Sequence, residues 1–193
     1  CRLAHRPLRG LQLFCNEGLY SLHALQCGAE HVHGFDTDRT ELARARLAAK
    51  VLGLTDRVSF GCEDPETLER EYDFCICTGV QRFADPAAGL RSLARLVRGP
   101  IVLQADVCAT RFRCNLFRKR SPEKVTSLNH TGLRNMVHEA GWCLVDVLLR
   151  KHPRVRSWEK RSTVFLLCTH LDWTVTEAAK PGVNLQPKKR KDF

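Results

Sequence analysis

Two acidic side chains stand where the sequence predicts the ends of neighbouring strands. Asp36 closes an apolar run eighteen residues after Gly18, and Asp64 follows the next such run. A carboxylate at the first position can accept both hydroxyls of a ribose, and one at the second can meet an adenine edge. Gly18, in the turn before the first helix, would let a ligand approach backbone N–H groups at the helix N-terminus. These positions predict a pocket for an adenosine-containing ligand.

Alternating strands and helices must bring these residues together. Apolar runs of strand length lie at 11–15, 31–35, 58–62, 74–78 and 101–105, and two more lie at 143–149 and 163–169. Helical spacing is clearest at 40–52, where Leu42, Ala45, Ala49 and Leu52 share one face. The alternation predicts a parallel sheet covered on both faces, with a ligand beyond the carboxyl ends of its strands.

Six segments resemble the class I, Rossmann-like S-adenosylmethionine-dependent methyltransferases in both content and order. They are Cys15–Leu22, Gly28–Asp36, Leu52–Phe60, Tyr72–Val80, Asp85–Pro86 and Ala140–Trp142. The resemblance implies an α/β fold with a doubly wound, mostly parallel seven-stranded sheet and helices on both faces. It also implies S-adenosylmethionine as the cofactor. The form of the first turn is most similar to the branch that includes tRNA wobble-uridine modifying enzymes.

The resemblance assigns roles to individual residues. It implies that the first turn holds the methionine part of the cofactor, that Asp36 holds the ribose and that Asp64 holds the adenine. It places Thr78 and Gly79 opposite the reacting methyl group. The cofactor-binding residues predicted in this way are Cys15, Asn16, Glu17, Gly18, Asp36, Thr37, Glu63, Asp64, Thr78 and Gly79.

The first strand departs from the family pattern. The family has an acidic residue and then a glycine where this chain has Gln12 and Phe14. The acid is a common anchor near the ammonium group of the cofactor, and the glycine lets the chain come close. A non-catalytic binding protein with the same fold is therefore an alternative to an active enzyme.

The predicted reaction is direct displacement, in which an acceptor atom attacks the sulfonium methyl group in line. Such a step depends on positioning and desolvation, and a general base helps only when the acceptor is protonated. Many relatives have a histidine after the fourth strand, where this chain has Gln81 and Arg82. Asp106 is therefore the remaining carboxylate candidate for a base, and a loop-start cap is its other interpretation. Thr78 is the other predicted catalytic residue, because the resemblance places it opposite the methyl group.

Positive charge is concentrated in the second half of the chain. Residues 98–193 contain 19 Lys and Arg against 8 Asp and Glu, whereas residues 1–97 contain 12 against 13. Basic clusters lie at 111–113, 118–120, 151–156 and 187–191, and contacts with phosphates would explain them. We therefore predict an RNA acceptor, with tRNA as the first candidate. A small-molecule acceptor is the alternative, and a solvated basic surface is the simplest interpretation of any single cluster.

The chain is predicted to form one domain followed by a tail. The methyltransferase domain covers 1–173 with a basic insertion near 106–128, and 174–193 form a basic, disordered tail whose last cluster resembles a nuclear-import signal. Because Cys1 is not an initiator Met, we expect a preceding segment. The sequence has no run of roughly 18 uncharged apolar residues, so no membrane partner is expected. It leaves the oligomeric state open.

The ten cysteines are scattered, and most lie in apolar runs such as Phe74–Cys77. This placement predicts buried free thiols in a reducing intracellular compartment, cytoplasmic or nuclear, rather than a disulfide framework. Cys108, Cys114, His130 and His138 are conceivable metal ligands, but the chain has no CxxC pair and their spacing matches no common zinc module. No metal site is predicted.

Overall fold

The computed structural model of the protein describes residues 7–62, 68, 71–108, 129–151 and 161–170. Within these ranges the chain forms seven strands: β1 (Arg9–Leu13), β2 (His31–Phe35), β3 (Val58–Gly61), β4 (Phe74–Thr78), β5 (Ile101–Cys108), β6 (Trp142–Lys151) and β7 (Arg161–His170). The α-helices in the same ranges are α1 (Leu19–Gln26), α2 (Arg39–Val51), α3 (Pro86–Leu96) and α4 (His130–Glu139). None of the helices described here has the length and apolar character needed to cross a lipid bilayer.

The strands form one sheet in the order β3-β2-β1-β4-β5-β7-β6. Strands β1 to β5 pair in parallel, whereas β7 is antiparallel to both β5 and β6. The predicted mostly parallel, seven-stranded sheet is confirmed. The strand order reverses between β1 and β4, because β2 and β3 lie on one side of β1 and β5 lies beyond β4. Ligands of such sheets bind at the carboxyl ends of the strands next to this reversal.

Helices cover both faces of the sheet, as predicted. The larger core joins α3 and α4 to one face of β1, β4 and β5, and Trp142 is its largest fully buried side chain. The Trp142 indole N–H donates to the Leu90 carbonyl of α3 over 3.1 Å. The smaller core holds α1 and α2 against β2 and β3, with Leu42, Ala45 and Ala49 as the buried face of α2.

Short-range interactions set the helix ends. Asp38 and Asp85 accept backbone N–H groups in the first turns of α2 and α3. Pro86 occupies the first position of α3, where the missing N–H has no intrahelical partner to lose. α2 ends at Val51, so Leu52 lies past the helix and is half exposed rather than part of the predicted buried face.

The first strand differs from its prediction. The sequence predicts a strand over 11–15, but β1 runs Arg9–Leu13. Phe14 and Asn16 have φ values of 57° and 46°, which a strand cannot accommodate. Cys15 therefore belongs to the turn that follows β1.

The fifth strand is longer than predicted. The sequence predicts its end at Ala105, but β5 continues to Cys108 because its last residues pair with 161–163 of β7. Asp106 is thus inside a strand, and the interpretation as a loop-start cap is wrong. Most of the predicted insertion (109–128) and the predicted tail (174–193) lie outside the described residues, as do the basic clusters apart from Lys151.

Candidate functional site

A pocket of about 500 Å³ opens at the carboxyl ends of β1 and β2, beside the reversal of strand order. Its volume falls within the range of small-molecule sites, roughly 300–1,000 Å³. The pocket is lined by Cys15, Asn16, Glu17, Leu19, Tyr20, Asp36, Asp38, Glu41 and Arg82. It therefore lies at the edge of the sheet where the sequence predicts a ligand.

The turn between β1 and α1 forms one wall of the pocket and is held against β2 and β3. The Cys15 N–H donates to the Phe35 carbonyl at the end of β2, over 2.9 Å. Gly18 has a φ of 78°, and a Cβ atom there would lie 2.7 Å from the Phe60 ring. Glycine is therefore required here by the backbone conformation and by contact with β3, whereas the sequence interpretation attributed it to contact with a ligand.

Gln12 completes the start of α1 from the neighbouring strand. Gly18 offers α1 no side-chain cap. Instead, Gln12 Oε1 accepts from the Ser21 N–H over 2.7 Å and from the Ser21 hydroxyl over 2.5 Å, and both side chains are buried. Gln12, which stands where the methyltransferases that the chain resembles have an acidic residue, thus accepts a helix N–H that would otherwise have no partner.

Asp36 connects the walls of the pocket. Its Oδ2 accepts from the Asn16 N–H (2.8 Å) and from Arg82 Nη1 (3.2 Å), and its Oδ1 accepts from the Asp38 N–H (3.1 Å) and from Arg82 Nη2 (2.9 Å). Burial by itself would raise the pKa of Asp36. The hydrogen bonds from Arg82, Asn16 and Asp38 outweigh that effect and hold the pKa below its usual value. Asp36 is therefore an ionised carboxylate whose four acceptor positions are all in use.

Arg82 is a pocket residue that the sequence pattern does not predict. It lies at the end of a short 3-10 turn, 80–82, directly after β4. Its guanidinium carbon lies 4.7 Å from the centroid of the Phe14 ring, which Phe83 supports edge to face at 5.0 Å. A Cβ atom at Gly79 would lie 3.0 Å from Arg82 Cδ, so a glycine there leaves room for the arginine. The sequence signal for this arrangement is Phe14, which stands where the methyltransferases that the chain resembles have a glycine.

The pocket is acidic overall. Glu17, Asp36, Asp38 and Glu41 line it, and Arg82 is the single cation among the lining residues that the structure describes. Outside the lining, Arg44 contacts two of these acids, at 2.7 Å from Glu41 and 3.5 Å from Glu17. A ligand that carries positive charge is favoured by such a site.

The predicted site residues divide into three groups. Cys15, Asn16, Glu17 and Asp36 line the pocket together. Glu63 and Asp64 lie outside the described residues, so the predicted adenine contact stays a prediction. The pocket lining does not include Gly18, Thr37, Thr78, Gly79 or Asp106.

The two predicted catalytic residues make contacts within the fold. The Thr78 hydroxyl donates to the Phe14 carbonyl over 2.6 Å and so fixes the end of β1. Asp106 accepts from the Thr163 hydroxyl of β7 over 2.8 Å. In this arrangement Thr78 positions the turn beside the pocket, and Asp106 joins two strands. Their part in a reaction stays a prediction.

The Cys15 thiol is uncharged. Burial, and then the neighbouring Asp36 carboxylate, raise the pKa of Cys15 to about 12. Cys75, Cys77 and Cys168 are also buried free thiols, as predicted, whereas Cys27, Cys62 and Cys143 are free but exposed. A neutral thiol is a poor nucleophile, so Cys15 contributes to the pocket as a small apolar wall.

No protein-family model matches the sequence, and no curated protein matches it. Solved structures do match. Magnesium protoporphyrin IX methyltransferase from Synechocystis PCC 6803, with bound SAM, aligns with a TM-score of 0.62 and 18% identity over 85% of this chain and 70% of its own. Geranyl diphosphate methyltransferase in complex with SAM aligns with a TM-score of 0.70 and 10% identity over 86% and 79%. The cyclase SpnF aligns with a TM-score of 0.68 and 15% identity over 85% and 75%.

The chain has the methyltransferase fold. This confirms the predicted Rossmann-like architecture. At these identities the likeness concerns the fold, and SpnF shows that the same fold also supports a cyclase. The relation to the tRNA-modifying branch stays a prediction.

Proposed function

We propose that this protein is an S-adenosylmethionine-dependent methyltransferase. The observation that carries the proposal is Asp36, a buried carboxylate at the carboxyl end of β2 in a pocket of small-molecule size. Each Asp36 oxygen accepts one backbone N–H and has one further acceptor position, now used by Arg82. Two positions would therefore be available for the two hydroxyls of a ribose once Arg82 moves away. With Arg82 displaced, the acceptor positions of Asp36 would match the two hydroxyl donors of a nucleoside.

The charge of the pocket supports a cationic nucleoside over a dinucleotide. Its lining carries four carboxylates and one guanidinium. A pyrophosphate would add negative charge beside these carboxylates, whereas a sulfonium and an ammonium group are attracted to them. The first turn also lacks the Gly-x-Gly-x-x-Gly pattern with which dinucleotide-binding sheets approach a pyrophosphate.

The chain's own contribution to the reaction is positioning and desolvation. When bound, S-adenosylmethionine supplies an activated methyl group. Asp36 would fix the sugar, and the turn formed by Cys15, Asn16 and Glu17 would orient the amino-acid part. Leu19 and Tyr20 line the same pocket with exposed apolar surface, which would reduce the access of water to the reacting atoms. In-line displacement of an activated methyl group needs little beyond this.

For the acceptor we propose RNA, with tRNA as the first candidate to test, because the excess positive charge lies in residues 98–193. Contacts of Lys and Arg with phosphates make affinity fall steeply with salt. The test measures RNA binding at two salt concentrations. We expect strong binding at low salt and weaker binding at high salt. An absence of binding at low salt would overturn the RNA acceptor.

A small-molecule acceptor is the second candidate. It is supported by the structural neighbours, whose names identify methyltransferases of magnesium protoporphyrin IX and of geranyl diphosphate. A metabolite panel with labelled S-adenosylmethionine distinguishes the two acceptors, because label transferred to a metabolite but not to RNA favours this alternative.

Calorimetry with S-adenosylhomocysteine tests the cofactor. We expect the wild-type protein to bind it and the variant Asp36→Asn to bind at least about tenfold more weakly, because the amide offers fewer acceptor positions and no charge. Asp56→Asn, which changes an exposed acid outside the pocket, is the matched control and should bind as the wild type does. A folded wild-type protein that binds neither this compound nor S-adenosylmethionine is not a methyltransferase.

A non-catalytic binding protein with the same fold is the remaining candidate. The contact of Arg82 with both oxygens of Asp36 favours it, because that contact competes with a ribose. Binding of S-adenosylhomocysteine without transfer of label to any acceptor would support this candidate.

A further inference from the structure

Asp36 has no acceptor position left for a ligand while Arg82 is in place. Each carboxylate oxygen accepts one backbone N–H, from Asn16 or Asp38, and one guanidinium N–H. A carboxylate has about four lone-pair positions, so these contacts use all of them. The two backbone contacts belong to the turns that form the pocket walls. The two Arg82 contacts are therefore the ones that can be exchanged for a ligand.

Three features hold Arg82 in this position. The guanidinium binds Asp36 through two parallel N–H···O contacts, a geometry that adds strength and direction. The Phe14 ring lies under the guanidinium carbon at 4.7 Å. Gly79 leaves the space through which the arginine side chain crosses toward β2. These residues come from the ends of β1, β2 and β4, which meet at the reversal of strand order.

This ion pair is more buried than an ordinary surface pair. The Asp36 side chain is fully buried, and the Arg82 side chain is 26% exposed. Solvent therefore screens the pair weakly. Arg82 also lines the pocket, so its guanidinium could move from Asp36 into the pocket. The pocket also contains Glu17 and Glu41, both in contact with Arg44, so a displaced guanidinium would remain in acidic surroundings.

We propose that Arg82 competes with the ligand for Asp36, so that a nucleoside binds only by displacing the guanidinium. This inference rests on the proposed function, because it assumes that the ligand carries a ribose diol. Removal of Arg82 then strengthens nucleoside binding. It also makes the acidic pocket more negative, which favours a positively charged ligand in the same direction, so a control that removes another cation is needed. A residue that merely stabilised the pocket would have the opposite effect.

The experiment measures the affinity of S-adenosylhomocysteine by calorimetry in the wild type and in Arg82→Met, which keeps an apolar stem of similar length without the guanidinium. The expected result is binding about tenfold tighter or more, equivalent to about 1.4 kcal/mol. Arg44→Met is the matched control, since it removes a cation that contacts Glu17 and Glu41 but not Asp36, and its affinity should change less than about threefold. Arg82→Lys keeps the charge but cannot bind both oxygens in parallel, so an intermediate gain is expected.

Thermal melts establish that each variant is folded, and Arg82→Lys serves if Arg82→Met is not. If the wild type binds and the Arg82 variants bind equally or more weakly, the competition is overturned while the methyltransferase proposal stands. If only the Arg82 variants bind, the competition is supported and the methyltransferase proposal for the wild-type chain fails. If no folded variant binds, both proposals fail. If Arg44→Met gains as much as Arg82→Met, the effect is one of general charge and the competition is overturned.

Discussion

Replacement of Gln12 by Leu tests whether this buried residue is the cap of α1. Leu has a similar volume but no acceptor, so the variant leaves the Ser21 N–H without its partner in a buried site. The Ser21 hydroxyl loses the same acceptor but can rotate toward another one, whereas the N–H direction is set by the helix. The change therefore orphans one buried donor.

The expected loss follows from that single donor. An unsatisfied buried N–H costs about 1–3 kcal/mol in the free energy of unfolding. For a chain of this length, a loss of about 2 kcal/mol in the free energy of unfolding corresponds to a fall in Tm of about 4–8 °C. Urea unfolding followed by circular dichroism gives the free energy, and a thermal scan gives Tm.

Two further variants separate capping from packing. Gln12→Glu keeps an acceptor oxygen at the positive end of α1, so it should lose less stability than Gln12→Leu. Ser21→Ala removes the hydroxyl but keeps the N–H contact, so we expect a loss of about 1 kcal/mol. A Gln12→Leu variant as stable as the wild type would refute the assignment of Gln12 as the cap.

Three other predictions concern the turn, the acid and the core. Gly18→Ala should lower the free energy of unfolding by about 1–3 kcal/mol more than Gly53→Ala does, as measured by urea unfolding. Both residues have a positive φ, but of the two only Gly18 has another side chain where the new Cβ atom would lie. Equal losses would contradict this. Because the folded pKa of Asp36 lies below its unfolded value, its ionic contribution is complete above about pH 4 and is lost as the pH falls further. The stability difference between the wild type and Asp36→Asn should accordingly shrink below that pH, and a difference independent of pH would argue against it. Trp142→Phe should lower the free energy of unfolding by about 2 kcal/mol, because it leaves the buried Leu90 carbonyl without the indole donor and reduces core volume. The loss is followed as a fall in Tm, and an unchanged Tm would count against this assignment.

Elements with strong local patterns could be predicted closely. The bounds of β2 and β4 are those that their apolar runs indicate, and α2 is displaced by one residue at each end. These elements depend on residues a few positions apart, through side-chain alternation, helical spacing and caps such as Asp38. The sheet edge that carries the pocket follows from the alternation of strands and helices.

The extent of β5 and the end of β1 could not be predicted in this way. Asp106 is polar and precedes a basic stretch, so its own neighbourhood favours a loop, but pairing with Thr163 keeps it in a strand. Phe14 is apolar and continues the first run, yet its positive φ ends β1. In both cases contacts with residues distant in the chain outweigh local preference.

Within the pocket, the sequence by itself determined that Asp36 follows β2 next to a turn that begins a helix, because both features follow from local order along the chain. Only the tertiary structure decided what Asp36 contacts. Arg82 lies 46 positions away and reaches it because β4 packs beside β1, and Gln12 meets Ser21 because α1 folds back on its own strand. The choice of a hydrogen-bond partner depends on which strand ends meet in space, and that information is not carried by the spacing of residues along the chain.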